Sequence, residues 1–110
     1  MNGHIDRHVT PRIYEALDDT RIVALQGSRQ VGKTTLVQEI VAARGGRLVT
    51  FDDETTLNLA RADPIGFLQH DEPLLAIDEI QLAPEMVSAL KYVVDRDQRP
   101  GRFLVTGSAD

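Results

Sequence analysis

Four short runs, Ile22–Leu25, Leu48–Phe51, Leu74–Ile77 and Phe103–Val105, are almost wholly apolar, and helix-patterned segments separate them. A strand with one face in water alternates polar and apolar residues; a run that is apolar throughout needs cover on both faces. Such strands alternating with helices predict a parallel sheet held between two helical layers. Leu36, Val37, Ile40 and Val41 fall at helical spacing, and Gly45-Gly46 supplies the stop. Met86, Leu90, Val93 and Val94, after the turn at Pro84, make a second such face. At the N-terminal side, Thr10 reads as an N-cap and Pro11 as the first helical residue, with Ile13, Ala16 and Leu17 on one face and Asp18-Asp19 at the end. Asp53 is expected to cap a helix carrying Leu57 and Ala60, and Asp63-Pro64 to open a short one carrying Ile65 and Leu68. There is no internal repeat and no linker-like segment.

The bulk numbers agree with one small domain. At 110 residues and 42% hydrophobic the chain has enough apolar material for a core, and 26% charged residues is ordinary for a globular protein. The formal net charge of −5 gives no overall attraction for nucleic acid. No run approaches the ~20 apolar residues of a membrane span. The absence of cysteine removes disulfides and thiolate metal sites, and fits a cytoplasmic location.

The junction between the first strand and the helix after it carries the chemistry. Gly27-Ser28-Arg29-Gln30-Val31-Gly32-Lys33-Thr34 matches G-x-x-x-x-G-K-[ST], the phosphate-binding loop. Glycines let the backbone curl so that successive N–H groups face phosphate oxygens, next to the positive end of a helix. Lys33, one of only two lysines in the chain, is expected to reach the β- and γ-phosphates. Thr34 is expected to ligate Mg²⁺, and Thr35 to add a hydrogen bond to the α-phosphate.

A second motif is Leu74-Leu75-Ala76-Ile77-Asp78-Glu79, a buried strand delivering two carboxylates at its C-terminal end. That end is the ligand edge of a parallel sheet. Asp78 is expected to hold Mg²⁺, and Glu79 to orient and deprotonate the water that attacks the γ-phosphate. No [NT]-K-x-D motif for reading guanine is present, so the nucleotide is expected to be ATP. A third strand end, Thr106-Gly107-Ser108, offers a polar group for the γ-phosphate or the water, with Ser108 preferred and Thr106 second.

Together GSRQVGKTT, the FDD after the second strand, LLAIDEIQ and FLVTGSA resemble the AAA-type P-loop ATPases of bacteria and archaea, over roughly Arg21 to Ala109. The resemblance implies a three-layer α/β P-loop NTPase fold of the AAA/ASCE type with sheet order 5-1-4-3-2. It also implies Mg-ATP hydrolysis coupled to a conformational change, and often a C-terminal domain. A nucleotide-dependent regulatory or interaction switch with little turnover is the other reading. Residues 1–20 then form a helical lead-in and 21–110 the ATPase core. Against the family pattern the sequence is expected to lack the fifth strand, the second sensor, the arginine finger and any lid. A first strand left at a sheet edge is expected to promote self-association, with ATP bound but turned over slowly.

The remaining polar residues point less far. His4 and His8 share helical spacing but lack a third ligand, so no metal site is expected there. Arg96, Arg99 and Arg102 read as a solvated loop rather than a binding patch. Arg29, inside the phosphate loop, has the choice of a nucleotide or a neighbouring subunit.

Overall fold

The computed structural model describes residues 9–27, 33–97 and 99–108. Four strands, β1 (Ile22–Gly27), β2 (Arg47–Thr50), β3 (Leu75–Asp78) and β4 (Phe103–Ser108), form one parallel sheet in the order β1-β4-β3-β2. The helices are α1 (Val9–Asp19), α2 (Lys33–Arg44), α3 (Glu54–Ala62), α4 (Pro64–Leu68) and α5 (Glu85–Arg96), with a 3₁₀ turn over Ile80–Leu82. This is the expected α/β fold with its parallel sheet, and β4 lies between the strand that leads into the glycine-rich loop and the strand that ends in the acid pair.

Alternate residues of the two central strands feed opposite layers. Leu75, Ile77, Phe103 and Val105 join Met86, Leu90, Val93 and Phe51 in one core, under α3, α4 and α5. Ala76 and Leu104 join Ile13, Leu17, Leu36, Val37 and Ile40 in the other, under α1 and α2. Two-sided burial is why these strands are apolar throughout.

β1 departs from that pattern. It lies at a sheet edge, as anticipated for the first strand, so its apolar run is not covered on both faces. Ile22, Val23 and Leu25 are half-buried and Ala24 is exposed, and β2, the other edge, is likewise only half-buried at Leu48, Val49 and Thr50. Ile65 also departs, being exposed where a core role was expected; α4 is little more than one turn and buries Leu68 instead.

Helix ends follow local chemistry. Asp53 caps α3 by accepting from the Thr55 N–H, and Asp63 caps α4 by accepting from the Gly66 N–H. Gly45, at φ +74°, closes α2: its N–H bonds to the Ala42 carbonyl, and the Gly46 N–H bonds back to Val41. α1 is helical from Val9, two residues before the Pro11 start that a Thr10 cap implies, so Thr10 lies inside the helix.

Arg102 corrects the picture of a solvated basic loop. Its side chain is buried and paired with Asp97, and it donates to the His70 carbonyl at 3.0 Å. Arg99 shares Asp97, and Arg96 stacks 3.5 Å over the Tyr92 ring.

Candidate functional site

The parallel register brings the C-terminal ends of all four strands to one edge of the sheet. Gly27 pairs with Ser108, Leu25 with Thr106, and Thr50 with Asp78. One step beyond the Ile77–Val105 pair, Asp78 meets Thr106. Thr50, Asp78 and Thr106 therefore form a row across three strands.

Counting by twos from Leu48, Ala76 and Leu104 puts this row on the face that α1 and α2 cover. That geometry aims the Asp78 carboxylate at the layer whose helix α2 begins with Lys33 and Thr34.

Two threonine hydroxyls hold Asp78 in the same way from either side. Thr106 Oγ1 donates to Asp78 Oδ1 and accepts from the Glu79 N–H at 3.4 Å. Thr50 Oγ1 accepts from the Asp52 N–H at 3.2 Å and lies a long 3.5 Å from Asp78 Oδ2, to which it donates. In each case a backbone N–H occupies a hydroxyl lone pair and leaves the hydroxyl proton for the carboxylate. Each oxygen takes one such bond, so each keeps a lone pair for a further ligand.

Glu79 leaves the strand abruptly. It sits at φ 58°, ψ 48°, the only described non-glycine residue with positive φ. An L-residue enters that region at a cost of about 1–2 kcal/mol. Backbone strain held next to a carboxylate is a mark of a functional position. The turn buries Glu79 to 6% exposure, and Gln81 Nε2 donates to its Oε1 at 2.6 Å.

The sequence-based candidates distribute as follows. Gly27 ends β1; Ser28, Arg29, Gln30, Val31 and Gly32 lie outside the described residues. Lys33 and Thr34 open α2 in helical backbone, and Thr35, next in the helix, is exposed. Asp78 and Glu79 are adjacent at the end of β3. Ser108 ends β4 beside Gly27, while the residue in contact with the acid pair is Thr106, the second choice of the two. Thr50 and Gln81 entered the sequence reading only as parts of the second strand and of LLAIDEIQ, with no role at the site. The signal for Thr50 is its register with Asp78, which requires the strand order. His4 and His8 lie outside the described residues.

Among the described residues no cluster of three or more His, Cys, Asp or Glu is placed to hold a metal ion. No helix among them is long and apolar enough to cross a membrane.

A parallel sheet flanked by helices, with β4 between β1 and an acid-tipped β3, is consistent with the P-loop NTPase-like class of fold. The sequence profile described as AAA domain matches residues 19–110, and the chain belongs to that family of nucleotide-binding, ATPase-like domains. It is also similar to an uncharacterized protein of Mycobacterium bovis and one of Mycobacterium tuberculosis, each 38% identical over 104 residues. That stretch is 94% of this chain and 23% of either relative, so the chain spans about a quarter of their length.

Proposed function

We propose that the chain binds Mg-ATP at the C-terminal edge of its sheet and hydrolyses the γ-phosphate, coupling nucleotide state to a change in conformation. The observation that carries this reading is the placement of the acid pair. Asp78 is fixed by hydroxyls from both neighbouring strands, on the sheet face covered by the helix that Lys33 opens.

In this reading the loop from Gly27 to Gly32 supplies N–H donors to the phosphates, Lys33 meets the β/γ charge, and Thr35 reaches the α-phosphate. Thr34 and Asp78 hold Mg²⁺. A single carboxylate suits that ion, which keeps several waters and takes its other ligands from phosphate oxygens. When bound, Mg²⁺ neutralises charge on the β- and γ-phosphate oxygens. Glu79 orients a water and takes its proton as the water oxygen bonds to the γ-phosphorus and the bond to the bridging oxygen of ADP breaks. Ser108, level with Gly27, is the candidate contact for the γ-phosphate. The absence of a guanine-reading motif supports ATP over GTP.

Calorimetric titration with ATP, with and without Mg²⁺, tests the binding half. Lys33→Ala is expected to remove detectable binding. Asp78→Asn is expected to remove only the gain in affinity that Mg²⁺ gives. Unchanged affinity in Lys33→Ala would dismiss the site, and a Mg²⁺ gain that survives undiminished in Asp78→Asn would dismiss the metal assignment.

A further inference from the structure

Gln81 lies in solvent for much of its surface, yet its amide has a defined seat. Nε2 donates to Glu79 Oε1 at 2.6 Å, short for an N–H···O bond. On its other side the amide rests over Gly107 of β4: a Cβ at that position would lie 2.9 Å from Gln81 Oε1 and 3.6 Å from Ile80 Cγ2. Gly107 is not among the residues with positive φ, so its backbone is open to any L-residue. What the site uses is the missing side chain. The left-handed backbone of Glu79 and the 3₁₀ turn after it swing residue 81 back over residue 79.

We propose that Gln81 is a positioning residue for the Glu79 carboxylate, and that Gly107 is glycine in order to seat it. The inference rests on the general-base reading of Glu79 given above. A glutamate side chain has several rotamers of similar energy, and a base is effective only in those that reach the water. A donor on Oε1 selects one of them before substrate arrives. The tether is anchored beside the nucleotide loop, because Gly107 pairs with Gln26 and the next register step pairs Ser108 with Gly27. Any shift of the end of β1 that moves β4 thus moves the seat of Gln81.

Four variants test this: Gln81→Leu, which keeps bulk and removes the donor; Gly107→Ala, which displaces the flexible end of Gln81; their combination; and Glu79→Gln as reference. Side-chain amide resonances of Gln81 in the nucleotide-free protein report the hydrogen bond. One proton is expected downfield of free glutamine in the wild type, and near the free position in Gly107→Ala. Mg-ATP turnover is expected to fall roughly 10- to 100-fold in kcat for Gln81→Leu and for Gly107→Ala, with KM and ATP affinity unchanged. The double variant should lose no more than either single one, because both remove the same contact. Free-like amide resonances in the wild type, or additive losses in the double variant, would overturn the inference. Turnover that falls in Glu79→Gln but not in Gln81→Leu would overturn it alone. Turnover that survives Glu79→Gln would overturn the base assignment and this inference with it.

Discussion

Thr106 shows how one hydroxyl can serve two neighbours. It donates to Asp78 and accepts from the Glu79 N–H, and it is 1% exposed. Thr106→Val keeps the shape and strips both bonds, leaving a buried N–H without that acceptor. The expected loss of stability is about 1–3 kcal/mol, read from urea denaturation, with Mg²⁺-dependent ATP affinity falling as well. Thr106→Ser, which keeps the hydroxyl, is expected to retain most of both. A valine variant as stable as the serine variant would show that the hydroxyl holds nothing in place.

At the scale of elements, strand centres were legible and strand ends were not. Apolar runs mark where both faces are covered, which is why Leu75–Ile77 and Phe103–Val105 could be found by reading alone. β4 continues through Thr106, Gly107 and Ser108 because β1 pairs with it that far, and no local signal in those polar residues announces a strand. The acid pair was legible as a motif. Its threonine supports were not, since Thr50 and Thr106 meet Asp78 only through strand order and register. The 3₁₀ turn has no sequence mark beyond the Pro84 that follows it. The end of α2 offers a comparison of two adjacent glycines. Gly45 has space around it and needs only its left-handed backbone, so Gly45→Ala is expected to cost about 1–2 kcal/mol. At Gly46 a Cβ would lie 2.4 Å from the Leu74 carbonyl oxygen, which itself accepts from the Arg47 N–H at 2.9 Å. Gly46→Ala should therefore cost more than Gly45→Ala in the same denaturation series. The reverse order would mean that β2 moves away from Leu74 freely.

Across the whole molecule, the end of the sheet opposite the candidate site is fastened by a different cluster. Buried Arg102 joins Asp97 to His70, whose ring stands edge-on to Phe103 at 5.1 Å between centroids. Desolvation, and then the Arg102 charge, lower the His70 pKa below its ordinary value. A lowered histidine pKa means that the unfolded chain protonates first, so stability is present above about pH 6.5 and falls as pH drops through that value. The urea midpoint is expected to decrease between about pH 7.5 and about pH 5.5, and to decrease less in His70→Gln. Equal decreases would place the pH dependence elsewhere. Arg99, whose side chain hydrogen-bonds Asp97, holds that carboxyl far below the usual carboxylate range, so its contribution is lost only in much stronger acid. The fastening cluster and the acid pair thus lie at opposite ends of the sheet, and the chemistry assigned to the chain rests on one of them. Phosphate release from Mg-ATP by the wild type beside Glu79→Gln, with bound ATP quantified in both, tests that assignment most directly. The expected result is ATP bound equally by both and hydrolysis ~10²–10⁴ slower in the variant; equal turnover by the two proteins would contradict it.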